Sequence, residues 1–278
     1  MKNAMQLKAY VKNLAKEKKI SAQIVLQNYM LERLLERISV SKYHDNFILK
    51  GGFLLAAMVG LDTRATMDMD ATIKGLPVTK ETISGMFVDI CKIHIDDDIN
   101  FEFSGIDDIR EDDEYGGYRV SLTGNYPPMA VPLKIDITTG DKITPREMVY
   151  SFNLMFEERS INVLAYTVET ILAEKLETII SRGNQNTRPR DYYDVYILNT
   201  LQKQNIDNQI LKEAFAATVK KRGTGHIVAN YKEIIENISK NSVMKDQWTR
   251  YQKEFEYAKD INFKDTCFTI KELLSSIK

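Results

Sequence analysis

The stretch that decides the fold is NFILKGGFLLAAMVGLDTRATMDMDATI, Asn46 to Ile73. Asn46 to Leu49 is a short apolar run of the kind that forms a buried strand. Gly51 and Gly52 end it and open a helix that begins Phe53-Leu54-Leu55-Ala56-Ala57-Met58. Further on, Met67, Met69 and Ala71 alternate with Asp68, Asp70 and Thr72. On a strand this alternation puts both aspartates on one face and the apolar residues on the other. Two carboxylates one strand repeat apart are placed to share divalent cations. Hard oxygen ligands of this kind suit Mg²⁺ on a polyphosphate.

A third carboxylate lies in Val131 to Thr138. There Leu133, Ile135 and Ile137 alternate with Lys134, Asp136 and Thr138. If that strand lies beside the one bearing Asp68 and Asp70, three aspartates converge, as in two-metal phosphoryl or nucleotidyl transfer. The competing readings are a solvated acidic strand face or a structural cation site.

A chain of 278 residues is long enough for two modest domains or one large one. It contains no apolar run long enough to span a bilayer, so no membrane partner is expected. The opening MKNAMQLKAYVKNLAKEKK has scattered charges and no apolar core, unlike a signal peptide. Cys91 and Cys267 are far apart and read as reduced packing residues of a cytoplasmic protein. His44, His94 and His226 are scattered in no zinc pattern.

The net charge of −1 hides a division. From Met1 to Lys50, ten Lys and Arg face four Asp and Glu, giving +6. From Gly51 to Arg159, ten face twenty, giving −10, and the remainder carries +3. The acidic middle holds the metal-like aspartates, and the basic flanks suit a polyanionic partner. Among those flanks, Lys16, Lys18 and Lys19, and the loop Lys220 to Gly225, are candidate nucleic-acid contacts.

Along the chain, Met5 to Lys18 and Ala22 to Ile38 read as helices, with Ser21 as N-cap of the second. Ile24, Leu31, Leu34, Leu35 and Ile38 form its apolar stripe. Thr79 to His94 reads as a helix. Ile99 to Phe103 and Tyr118 to Leu122 read as strands, with Asp96 to Asp98 and Asp107 to Glu114 as acidic turns. Pro127-Pro128 leads into the Asp136 strand. This succession argues an α/β (α+β) fold with a mixed sheet and flanking helices. From Val168 the pattern is nearly all helical, with a boundary near Glu158 to Ala165. The expected domains are therefore 1–160 and 161–278, the second a helical C-terminal domain.

Within Val168 to Ser181, Lys175 lies on the apolar stripe of its helix. It either snorkels to the edge of the core or aims its ammonium into a cleft at an anion such as a triphosphate. Asp191 and Asp194 share a face of the next helix, which starts at Pro189. They favour its positive end and can pair with Arg188 or Arg190. Tyr193, Tyr196, Ile197 and Leu201 form that helix's packing face, and three or four amphipathic helices follow, with Trp248 as a core anchor.

These motifs resemble the AbiEii/AbiGii toxin family of nucleotidyltransferase-like proteins, the toxin halves of type IV toxin–antitoxin and phage abortive-infection systems. The resemblance rests on Lys50-Gly51-Gly52, Arg64-x-Thr66-x-Asp68-x-Asp70 and Lys134-Ile135-Asp136-Ile137. It extends to Leu172-Ala173-Glu174-Lys175-Leu176 and Arg188-x-Arg190-Asp191-x-x-Asp194. In the broad superfamily the first motif often reads Gly-Ser, and here Gly52 replaces the serine.

The resemblance implies a nucleotidyltransferase-fold domain followed by a helical domain that completes the active-site cleft, with Mg²⁺ as cofactor and NTP as substrate. It assigns Asp68, Asp70 and Asp136 to metal, and Asp136 also to the attacking 3′-hydroxyl. Lys175 goes to the triphosphate, and Asp191 or Asp194 orients that lysine or the acceptor. Lys50, Gly51, Gly52, Arg64, Thr66, Lys134 and Arg190 go to the nucleotide. The implied partners are an RNA acceptor, above all tRNA, and an antitoxin of AbiEi type with a winged-helix domain that acts without a stable complex. The expected activity is transfer of a nucleoside monophosphate to an RNA 3′ end, which blocks translation. Two rivals remain open: modification of a protein or small molecule, and a non-catalytic nucleotide-binding module.

Overall fold

The computed structural model describes residues 4–109 and 116–277. They fall into two compact units. One takes the residues up to Asp141 together with Met148–Ala165; the other takes Lys142–Glu147 and the chain from Tyr166 onward.

The first unit opens with helices α1 (Ala4–Lys18) and α2 (Ala22–Val40). Ser21 caps α2, its hydroxyl accepting from the Ile24 N–H at 3.2 Å. Strand β1 (Phe47–Lys50) runs directly into helix α3 (Gly51–Val59), followed by β2 (Met69–Ile73) and helix α4 (Lys80–Cys91). The remaining strands are β3 (Asn100–Asp108), β4 (Tyr118–Tyr126), β5 (Met129–Thr139), β6 (Met148–Asn153) and β7 (Ser160–Ala165). They form one seven-stranded sheet in the order β3-β4-β5-β2-β1-β7-β6. β2 pairs with β5 in parallel and β1 with β7 in parallel, while the other pairings are antiparallel.

The alternation in β5 reads as expected: Leu133, Ile135 and Ile137 are buried and Lys134 is exposed. Other expectations need correction. Strands β6 and β7 were not foreseen; β7 spans the expected 160/161 boundary and is hydrogen-bonded to β1. Asp107 and Asp108 belong to β3 instead of a turn, while residues 110–114 of that acidic stretch lie outside the described residues. Asp96 and Asp97 do form a turn, but Asp97 is not left to solvent. It is buried, and both its carboxylate oxygens accept from Arg37, at 2.7 and 2.8 Å.

Helix α2 departs most from its sequence pattern. Leu31, Leu34, Leu35 and Ile38 of its apolar stripe are buried and Ile24 is half-buried, but Gln27, Asn28, Glu32, Arg33, Glu36 and Arg37 are buried as well. Burying so many charges is tolerable only if they pair. Arg33 reaches Glu32, Glu36 and Glu157, and Arg159 reaches Glu36 and Glu157. Glu32 also accepts from the Met155 N–H at 2.7 Å, which fastens α2 to the chain after β6. The group holds three carboxylates against two guanidiniums. Burial pushes the Glu32 carboxyl up to about 7, against the pull of Arg33. The folded state therefore holds that proton more tightly than the unfolded chain. Stability from this group is present below about pH 4.5 and is lost as the pH climbs towards 7. Relative to Glu32→Gln, the wild type is expected to lose up to about 3 kcal/mol across that window. Urea unfolding of both proteins at several pH values reads the difference, and parallel profiles would refute it.

In the second unit, helices α5 (Val168–Arg182), α6 (Pro189–Leu201), α7 (Asn208–Arg222), α8 (Gly225–Val228), α9 (Tyr231–Lys240), α10 (Ser242–Glu254) and α11 (Phe263–Ile277) pack on one another. Trp248 is buried as expected and donates to the Ile261 carbonyl at 3.0 Å. Tyr193 and Ile197 pack inward on α6, but Leu201 is exposed and Tyr192 takes a core place. Lys220 to Arg222 form the last turn of α7, with Gly223 as its left-handed cap. Arg222 pairs with Glu177 there, so only part of that basic run faces solvent.

Candidate active site

The site starts at the change from β1 to α3. Gly51 has φ +66°, a conformation natural to glycine and costly to L side chains. A Cβ at Gly51 would fall inside the Asp70 carboxylate. The Gly52 N–H, in the first turn of α3, donates to Asp70 Oδ2 at 3.3 Å. A Cβ at Gly52 would lie 2.9 Å from Thr66 Oγ1. The threonine hydroxyl thus faces the glycine where the superfamily often has serine. Gly51→Ala is expected to cost about 1–2 kcal/mol of stability for the backbone alone. It should also displace Asp70, and a shift of about 1 Å in a site group can cost roughly 100-fold in rate. Transfer assays beside thermal melting check this: a wild-type rate would show that Asp70 tolerates the displacement.

β2 and β5 lie side by side with Asp70 in register with Asp136. On its other side Asp70 is in register with Lys50 of β1. Burial raises the Asp70 pKa above the usual carboxylate range, and the charge of Asp136 raises it further, while Lys50 and the Gly52 N–H pull it down. Asp136 is held by Arg119 of β4, directly opposite it. Arg119 Nε and Nη2 donate to Asp136 Oδ1 and Oδ2, each at 2.7 Å. Asp68 lies one residue ahead of β2 and is exposed. The alternation therefore holds for Met69 and Ala71, both fully buried, but Met67 is exposed because the strand has not yet begun. Among the described residues no three His, Cys, Asp or Glu side chains are already gathered to hold a metal ion.

The other expected nucleotide residues of this unit are dispersed around that pair. Arg64 is buried and donates to the Ala65 carbonyl. Thr66 is buried, and its backbone carbonyl accepts from Asn28 at 2.7 Å. Lys134 is exposed, two residues before Asp136 on β5. Lys50 Nζ donates to Thr138 Oγ1 at 2.7 Å and to Asp141 Oδ2 at 2.6 Å. Arg119, Thr138 and Asp141 were not singled out from sequence. Arg119 shares the alternating face of Ser121 in β4, and Asp141 follows the Gly140 turn after β5. Neither signal distinguishes them from solvated residues.

In the helical unit, Lys175 Nζ lies 2.9 Å from Asp191 Oδ1 and 2.7 Å from Asp194 Oδ2. The two aspartates, expected to share a face of α6, also share the Lys175 ammonium. Arg190 stacks over the Phe255 ring, 5.6 Å from its centroid.

A mixed sheet with paired aspartates behind a glycine turn, followed by helices, is a nucleotidyltransferase-like fold. The chain belongs to the family described as nucleotidyl transferase AbiEii toxin, type IV toxin–antitoxin system, whose family model matches residues 33–268. A search of curated proteins finds no match. Among solved structures, JHP933 from Helicobacter pylori is similar at 15% identity, covering 92% of each chain with a TM-score of 0.49. An antigenic nucleotidyltransferase-like protein from Paracoccidioides brasiliensis is similar at 17% identity over 72% of this chain and 93% of its own, with a TM-score of 0.39. No helix among the described residues is long and apolar enough to cross a membrane.

Proposed function

We propose that this toxin-family nucleotidyltransferase moves a nucleoside monophosphate from an NTP to the 3′-hydroxyl of an RNA, breaking the α–β phosphoanhydride bond and releasing pyrophosphate, with tRNA as the acceptor and arrested translation as the outcome. The observation that carries the reading is the register match of Asp70 and Asp136 beside the Gly51-Gly52 helix start. Burial raises the Asp70 pKa, and repulsion from the Asp136 carboxylate on the adjacent strand raises it further. Such a pair fits a divalent cation. Asp70, Asp136 and the neighbouring Asp68 would hold Mg²⁺, and the bound ion would supply Lewis-acid stabilisation of the polyphosphate.

The chain's own groups account for the rest. Backbone N–H groups at the start of α3 favour phosphate, because the first turn of a helix carries unpaired donors and positive dipole. The Gly51 conformation keeps Cβ atoms out of that approach. A carboxylate oxygen of Asp136 takes the proton of the attacking 3′-hydroxyl. Lys50, in register with Asp70, brings positive charge to the same end of the sheet. The basic first fifty residues support a polyanionic acceptor.

Incubating the protein with labelled NTPs, Mg²⁺ and total RNA tests the reading. A labelled tRNA band is expected. Label on a protein or small molecule instead would replace the acceptor, and nucleotide binding without product would leave only a binding module.

A further inference from the structure

Arg119 occupies the carboxylate that the proposed chemistry needs. Its guanidinium meets Asp136 side-on, with both carboxylate oxygens engaged at 2.7 Å. A fork-on-fork pair of this kind blocks the lone pairs a cation would use. The pair is also open to water: the Arg119 side chain is 42% exposed and that of Asp136 21%. A pair open to water can exchange one partner for another without disturbing the strand beneath it. A triphosphate offers the guanidinium fork the same bidentate geometry as a carboxylate, with more negative charge.

We propose that Arg119 is a latch on the site, which holds Asp136 until a nucleoside triphosphate draws the guanidinium away. The inference rests on the reading of Asp70 and Asp136 as cation ligands. With the latch closed, only a minor fraction of molecules offers Asp136 to a cation, and apparent affinity falls by that fraction. Nucleotide and cation therefore bind with positive linkage, and the protein keeps its site unloaded when NTP is scarce.

The test is a Mn²⁺ titration of the full chain, read by the loss of the free-ion EPR signal, with and without a non-hydrolysable NTP analogue. The wild type is expected to bind Mn²⁺ at least about tenfold more tightly when the analogue is present. Arg119→Met keeps the aliphatic stem on an exposed strand face. It should bind Mn²⁺ about tenfold more tightly than wild type without the analogue and gain little from adding it. Arg119→Lys keeps the charge but cannot engage both oxygens, so it should also tighten Mn²⁺ binding. Unchanged Mn²⁺ affinity in Arg119→Lys, or an undiminished nucleotide effect in Arg119→Met, would overturn the latch. Asp70→Asn separates the two ideas. If it binds Mn²⁺ like the wild type, the cation reading fails and the latch with it. If it loses Mn²⁺ while the Arg119 variants match wild type, only the latch fails.

Discussion

Asp70→Asn should lose transfer by about a thousandfold or more while its melting temperature holds or rises. The first half follows from chemistry: removing an ionised ligand forfeits several kcal/mol of charge stabilisation in the transition state. At about 1.4 kcal/mol per factor of ten, this gives three orders of magnitude. The second half follows from electrostatics. Asp70 is ionised at a cost, because burial and the facing Asp136 both disfavour its charge. Asparagine removes the repulsion, keeps the shape and retains an oxygen to accept from the Gly52 N–H. A rate within tenfold of wild type would refute the assignment. A large drop in melting temperature would mean that Asp70 is structural, and the loss of activity would then say nothing of chemistry.

Lys175→Met is expected to destabilise the protein by about 3–5 kcal/mol, the usual cost of removing one partner of a buried ion pair. From the sequence alone methionine looks harmless there, since it continues an apolar stripe. The structure reverses that expectation: Asp191 and the fully buried Asp194 share the lysine ammonium, and methionine leaves two carboxylates facing each other. Denaturant unfolding of Lys175→Met alone and combined with Asp194→Asn checks the argument. The double variant should recover much of the loss, and no destabilisation in the single variant would return Lys175 to a snorkelling role.

What was legible in the sequence was what periodicity encodes. The alternation in β5 and the Gly-Gly break after β1 carried the pairing of Asp70 and Asp136, because a period of two fixes which face a side chain takes. Partners from distant strands were not legible. Arg119 reads as one solvated charge in an alternating strand until β4 lies against β5. Helix α2 reads as amphipathic because its charges look like a wet face. They are buried because Arg159, Glu157 and Asp97 arrive from far along the chain to pair with them. The six-residue strands β6 and β7 went unread, and with them the true extent of the sheet.

The placement of β7 has a bearing on synthesis. β1, which seats the Gly51-Gly52 turn, is flanked by β2 on one side and by β7 on the other. A ribosome delivers β7 only after every other strand of the sheet has been made. Until Ser160–Ala165 emerges, the nascent chain presents β1 as a bare edge with the aspartates already in hand but their turn unsupported. A chain cut short before that point would lack the strand that flanks β1 and supports the turn on which the proposed chemistry depends. In a toxin family, that chemistry would then wait on completion of the sheet.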